Sequence, residues 1–364
     1  MKRIIFTVIN DLSHDRRMMR ICNSLTDAGY EVILVGIGKT GSVPLEEKKY
    51  RQIRLYTPFT KGVGLYAWYD LRLFCWLLLK RTDAVCCIDI DTMLPVWLTS
   101  KFRGTKRIYD VHEYFSQQKE VVTRPGVYRV WHWIEKTFVP RFRNGYCVSG
   151  SIIAEFKRLY GVEYELVRNI PLFKEWPAVA KHGERIILYQ GAVNEARGLE
   201  FLIPAMNQVD ARLHIYGDGN FMEQTKNLVK ANNLENKVLL MGKVLPRELE
   251  EVTHGAYIGI NLVEHNGLNQ YYSLANKFFD YIQHGIPQLT MNFPEYKTIN
   301  DEFEVALLIN DLSVESIAKS LNRLLEDGEL YDRLKQNCLR AREVLNWQQE
   351  EKILISFYNK LFNR

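Results

Sequence analysis

At 364 residues, 47% of them hydrophobic and 25% charged, with a net charge of +5, the chain is neither a disordered polymer nor a small stapled domain. It exceeds the roughly 250–300 residues at which one hydrophobic core stops growing, so two domains are expected. No run reaches the roughly 18 uninterrupted apolar residues of a membrane span, and Cys22, Cys75, Cys86, Cys87, Cys147 and Cys338, lacking disulfide-framework or zinc-ligand spacing, read as buried thiols of a reducing cytoplasm.

The chain opens on Met1-Lys2-Arg3 and an apolar run over residues 4–9, too short and too soon polar for a signal peptide, which reads as a first buried strand. A helix is expected over 15–28, ended by Gly29, and a second strand over 31–35. Residues 65–81 are aromatic and Leu-rich but broken by Asp70 and Arg72. Apolar residues on most faces of this segment point to core packing, with a place on a bilayer surface as the other reading. Further strands are expected at 84–88, 106–111, 146–148 and 164–167. Residues 171–183 lapse into Pro, Lys and Trp without periodicity and read as a linker, after which strands recur at 185–189, 212–216, 237–241, 257–260 and 286–290.

Apolar runs alternating with helical patterns are the signature of βα units in parallel sheets. The fold class is therefore α/β, with doubly wound, Rossmann-like domains over residues 1–170 and 171–346 and a last helix, about 347–364, packing back onto the first. Residues 1–170 carry 27 Lys/Arg against 17 Asp/Glu, a net +10, and the remainder carries −5. A basic half beside an acidic half suggests an anionic partner for the first, with a merely solvated surface as the alternative.

Ligands of such sheets gather at the carboxyl ends of the strands, so the strand-to-helix turns are where chemistry is sought. The first turn, from Asn10 to Asp15, has no glycine fingerprint, and the absence of G-x-G-x-x-G and of a P-loop disfavours nicotinamide dehydrogenases and nucleoside triphosphatases. Gly217-Asp218-Gly219 is a fragment of a phosphate loop or simply a tight turn. Tyr109-Asp110-Val111-His112-Glu113 brings a histidine and two carboxylates to a strand end; His112 either donates to a sugar hydroxyl or is tied to Asp110 for structure. From Tyr189 to Ile203 the chain reads as strand, glycine turn at Gly191, Arg197 and helix, a phosphate site or a surface turn. Ser273 reads as the N-cap of a helix ending near Gly285, with Lys277 in its first turns and Asp280 one turn on, either holding a diphosphate and a ribose or pairing with each other. Asp89-Ile90-Asp91 reads as a turn capped by Asp91 rather than as a metal site.

Six segments stand in one order: Asp15-Arg16-Arg17, Asp89 to Pro95, Tyr109 to Phe115, Val167 to Pro171, Tyr189 to Ile203 and Ser273 to Pro287. In this the chain resembles the retaining glycosyltransferases of family 4, especially bacterial members of surface-polysaccharide pathways. The resemblance implies the GT-B fold, two Rossmann-like domains facing a central cleft, with a nucleotide-diphosphate-sugar co-substrate on the C-terminal domain and an acceptor mainly on the N-terminal one. It places Arg197 where the family has a diphosphate-binding Lys, and Asp280 at the second Glu of its E-x7-E motif, holding the ribose. Ser273, Leu274 and Ala275, with Asn276, replace the Gly-Phe-Gly turn whose amides meet phosphate. Gly191 joins them on the donor side, and Asn10, Asp15 and Glu113 are the acceptor-side candidates. Two positions depart from the pattern: Ala192 replaces a common Arg, and the first Glu of the motif falls on Tyr272, leaving Glu264 as its substitute from a longer loop.

The implied reaction is transfer of a hexosyl-type sugar to a glycan or lipid-linked acceptor with retention, by front-face attack. Arg197, Lys277 and the amides near Ser273 would stabilise the leaving diphosphate without metal or other cofactor, and His112 would support the sugar or acceptor. No nucleic-acid partner is expected. The place of action would be the cytoplasm, peripherally at the inner face of an anionic cytoplasmic membrane. The competing readings are a sugar-nucleotide epimerase of the same fold and a non-catalytic subunit of a glycan-assembly complex.

Overall fold

The computed structural model describes residues 1–13, 15–177 and 184–363. His14 of the first turn, residues 178–183 of the expected linker and Arg364 of the last helix lie outside the described residues. The chain divides into two compact units, residues 1–169 with 350–364, and 170–349.

In the first unit the elements run β1 (Arg3–Thr7), α1 (Arg16–Asp27), β2 (Glu31–Gly38), β3 (Arg51–Tyr56), α2 (Val63–Leu78), β4 (Ala84–Ile88), α3 (Met93–Arg103), β5 (Lys106–Val111), α4 (Lys119–Val122), α5 (Pro125–Phe138), β6 (Asn144–Cys147), α6 (Gly150–Tyr160) and β7 (Glu165–Leu166). The strands pair in parallel in the order β3-β2-β1-β4-β5-β6-β7. The order reverses between β1 and β4, which opens a crevice at their carboxyl ends. β4 is a continuous apolar run, and β1 is apolar from Ile4 to Phe6, because helices cover both faces of a parallel sheet. α1 starts at Asp15, whose carboxylate accepts the Met18 amide, and buries Met18, Ile21, Cys22 and Leu25 at helical spacing. α2 buries Leu65, Tyr69, Leu73 and Leu77 along one stripe, each worth roughly 1.5–3 kcal/mol. Its other face is exposed at Val63, Trp68 and Leu71, so the segment expected in the core is only half in it.

The second unit runs β8 (Ile186–Gln190), α7 (Leu199–Ala205), β9 (Arg212–Tyr216), α8 (Met222–Ala231), β10 (Val238–Gly242), α9 (Pro246–Gly255), β11 (Ile258–Asn261), α10 (Leu268–Tyr271), α11 (Asn276–Gln283), β12 (Gln288–Met291), α12 (Pro294–Phe303), β13 (Ala306–Ile309), α13 (Val314–Glu326) and α14 (Gly328–Ala341). Its six parallel strands are ordered β10-β9-β8-β11-β12-β13, with the reversal between β8 and β11. α15 (Trp347–Asn363) closes the chain, and from Glu350 onward its residues belong to the first unit. There Glu350 takes the Arg168 amide at 2.8 Å and its guanidinium at 3.1 Å, and Tyr358 is fully buried beside Tyr146. No helix among the described residues is long and apolar enough to cross a membrane.

Candidate functional site

The crevice of the second unit is built from loops that interlock through their backbones. The Gly191 amide donates to Tyr216 O at 2.9 Å, Val193 to Asp218 O at 3.1 Å, and Gly217 to Gly242 O at 2.8 Å. At Gly217 (φ +147) a Cβ would lie 1.8 Å from the Gly191 carbonyl oxygen, so only glycine allows the loops after β8 and β9 to meet. The Gly217-Asp218-Gly219 segment is thus a close-packed wall. Beside it lies a pocket of about 390 Å³ lined by Gly191, Ala192, Tyr216, Gly217, Asp218, Lys243, Val244 and Leu249. Lys243 and Val244, absent from the sequence-derived candidates, follow the glycine that ends β10, and that turn was the available signal.

α11 brings the charged groups to this wall. Tyr281 anchors it, its hydroxyl donating to Leu188 O at 3.0 Å and its ring lying where a Cβ on Gly259 would come within 2.5 Å. The helix begins at Asn276 with Ala275 as N-cap, so the sequence expectation of a Ser273 cap is corrected. The Ser273 hydroxyl instead donates to Gln270 O at 2.8 Å, because α10 inserts a turn of its own before the helix. The Ser273 and Ala275 amides are engaged inside the protein, by Gln270 O and by the Tyr296 hydroxyl.

Lys277 points back along the helix with its ammonium 3.9 Å from the centroid of the Tyr189 ring, beside Gly191. Burial, with a contribution from neighbouring Arg197, holds it down to about 7 against a weaker opposing pull from Asp280. Among the described residues neither Lys277 nor Arg197 is in an ion pair. Asp280 accepts from Gln190 Nε2 at 3.0 Å, and Gln190 Oε1 in turn accepts from Thr253 at 2.7 Å. Asp280 is therefore oriented by a fixed amide. The Glu264 amide donates to Ala196 O at 3.0 Å, which sets its loop against the turn carrying Arg197. Its carboxylate accepts from Asn266. Gly191, Arg197, Glu264, Lys277 and Asp280 are thus brought to one crevice, with the 273–276 segment at its helix entrance.

The first unit carries a second constellation. His112 Nε2 lies 3.0 Å from Asp110 Oδ2, and Asp110 Oδ1 accepts from Arg17 at 2.8 Å. Arg17 also donates to Val167 O at 3.0 Å. Asp110 is fully buried and Arg17 nearly so. Burial would raise the Asp110 pKa, but Arg17 and His112 outweigh it and the net shift is downward. For His112 burial acts downward, and Asp110 reverses it to a net rise. Arg17 escaped the residue-level reading, although its motif was in it, because only the fold puts it under β5.

Asp89, at φ +54, accepts the amides of His112 at 2.9 Å and Glu113 at 3.2 Å, and burial pushes its carboxyl up to about 7. It, not Asp91, fixes this turn: α3 starts after Thr92 without a side-chain cap, correcting the expected Asp91 cap. Of the acceptor-side candidates, Asn10 and Asp15 are joined at 2.7 Å after β1. Glu113 stands apart on the β5 exit, exposed and accepting from Gln118.

Residues 15–173 match the model of Glycosyltransferase Family 4, and residues 173–340 match that of Glycosyl transferases group 1. A sucrose-phosphate synthase from Thermosynechococcus elongatus superposes with a TM-score of 0.85 at 17% identity, covering 100% of both chains. HepE from Anabaena, solved in complex with UDP-glucose, gives 0.77 at 12% identity over 100% of both chains. WaaG, a glycosyltransferase involved in lipopolysaccharide biosynthesis, gives 0.71 at 15% identity, covering 96% of this chain and 98% of that one. A comparison with curated protein sequences finds no match. The structural likenesses establish the GT-B fold of two parallel-sheet units, and with family matches running almost end to end, the chain belongs to the glycosyltransferases of family 4.

Proposed function

We propose that the protein transfers a hexosyl-type sugar from a nucleotide-diphosphate-sugar to a glycan or lipid-linked acceptor, with retention, in cell-surface polysaccharide synthesis in the cytoplasm at the inner membrane face. The observation that carries this reading is the convergence of Lys277 and Arg197, neither in an ion pair among the described residues, beside a glycine-walled pocket. Burial and the neighbouring Arg197 outweigh the pull of Asp280 on Lys277, so the two cations stand at a cost that an entering diphosphate relieves. As the anomeric bond stretches, charge grows on the leaving phosphate, and fixed cations stabilise that growth. This supports leaving-group departure without a metal.

The 390 Å³ pocket beside Gly191 suits the nucleoside, and Asp280, oriented by Gln190, suits its ribose hydroxyls. His112, buried on its Asp110 side and with an 18% exposed side chain, keeps one edge for a sugar or acceptor group. HepE was solved with UDP-glucose, which makes uridine donors the first to try. The test is a thermal-shift screen of UDP-, GDP- and ADP-sugars followed by turnover with and without EDTA. Stabilisation by one donor class, scaling with its concentration, is expected, with turnover surviving chelation. No stabilisation by any of them would remove the donor site, and consumption of donor without acceptor would favour the epimerase.

A further inference from the structure

We infer that the outer face of α2, α3 and α5 is the surface by which the protein docks on an anionic lipid bilayer; the inference rests on the lipid-linked acceptor proposed above. The three helices lie side by side, α2 against α3 and α3 against α5. Facing away from the sheet they expose Val63 (84%), Trp68, Leu71, Phe102 (71%), Val130 and Trp133. Single exposed apolar residues are ordinary, but six on one layer of adjacent helices form a patch that marks an interaction surface.

The charges of this layer are one-sided. Its Lys and Arg residues are Arg72, Lys101, Arg103, Arg129 and Lys136, all exposed and, among the described residues, none in an ion pair. Its acids are Asp70 and Glu135. Glu135 is 1% exposed and receives the Tyr160 hydroxyl, and burial holds both carboxyls toward the neutral form. In α6 and α15 of the same unit, by contrast, Arg158 pairs with Glu155 and Lys360 with Glu165.

An anionic bilayer complements both halves of this pattern. Headgroups attract the cations over a Debye length, and the acyl boundary accepts Trp, Leu and Val side chains. A polyanion such as nucleic acid would satisfy the charges but leave the aliphatic residues in water. A second copy of the same face would bring like charges together.

The experiment is co-sedimentation of the full chain with vesicles of mixed phosphatidylglycerol and phosphatidylcholine, or of phosphatidylcholine alone, at low and high salt. Three proteins are compared: wild type, a K101E/R129E/K136E variant and an L71S/W133S variant. Wild type should partition to the anionic vesicles at least about tenfold more than to neutral ones and be released by salt. The charge variant should lose that preference, and the apolar variant should bind anionic vesicles more weakly at either salt. Unchanged melting and unchanged nucleoside-diphosphate binding show that both variants are folded. Wild-type partition in both variants, no preference for anionic vesicles, or a wild-type dimer that these substitutions dissociate would each overturn the inference. Turnover on a water-soluble acceptor separates the two proposals: docking lost with turnover intact removes the membrane face alone, and docking without turnover removes the transferase.

Discussion

The two units solve the problem of holding charge at a sheet edge in opposite ways. In the first, Arg17, Asp110 and His112 are joined in a buried chain at 2.8 and 3.0 Å, so the protein supplies its own counter-charges. In the second, Lys277 and Arg197 stand together with only a weaker opposing pull from Asp280, and the Lys277 ammonium is held down to about 7. The closed arrangement positions a histidine and needs no ligand to be stable. The open one is a cost to the fold that a bound anion removes, so a site short of an anion points to its ligand more sharply than a completed network does.

The largest effect expected from this contrast is on stability. Arg17→Met leaves the buried Asp110 with His112 alone and should cost about 3–5 kcal/mol, read by urea unfolding with a probe in the first unit. A loss under about 1 kcal/mol would mean the buried pair is not formed as described. Next in size, Arg197→Ala and Lys277→Ala should each lower turnover on the order of 100-fold by removing a charge that meets the leaving group. Near-normal turnover in both would dissolve the donor site.

A smaller effect has the opposite sign to Arg17→Met. Because the folded Lys277 titrates near 7 and its ordinary value is 10.5, the unfolded chain binds more protons between those values. Stability therefore rises with pH across that window, and the cost is fully present below 7. Lys277→Met should raise stability at pH 7 by about 1–2 kcal/mol while removing most of the donor affinity. A variant less stable than wild type at that pH would show the ammonium to be favourably paired. Smallest, Asp280→Ala should raise the donor KM about tenfold with turnover little changed, as for uniform binding of the ribose. A fall in kcat alone would reassign it.

Much of this contrast was legible in the residues. Continuous apolar strands such as Ala84–Ile88 announce a parallel sheet, and the order of the six motifs located Arg197, Lys277, Asp280 and His112. β3 is not legible, because Arg51–Tyr56 is a partly exposed edge strand whose apolar residues are interrupted by Arg51, Gln52 and Arg54. β13, four residues long, is too short for periodicity to separate strand from helix. Ser273 matched the chemistry of an N-cap, and only the preceding turn of α10, a tertiary detail, shifted the cap to Ala275. Arg17 and Gln190 were invisible for a related reason: each acts on a residue 93 or 90 positions away. Spacing along the chain carries no trace of such a partner.

The most direct test of the claim that Lys277 and Arg197 form a diphosphate site is calorimetric titration with the donor's nucleoside diphosphate at pH 8, in two buffers of different ionisation enthalpy. Above 7 the free Lys277 is largely neutral, and a bound diphosphate favours its charged form. Binding should therefore take up close to one proton at pH 8, and affinity should fall as pH rises from 7 to 9. In Lys277→Met both the uptake and most of the affinity should vanish. Tight binding that is independent of pH, exchanges no proton and survives in Lys277→Met would contradict the account.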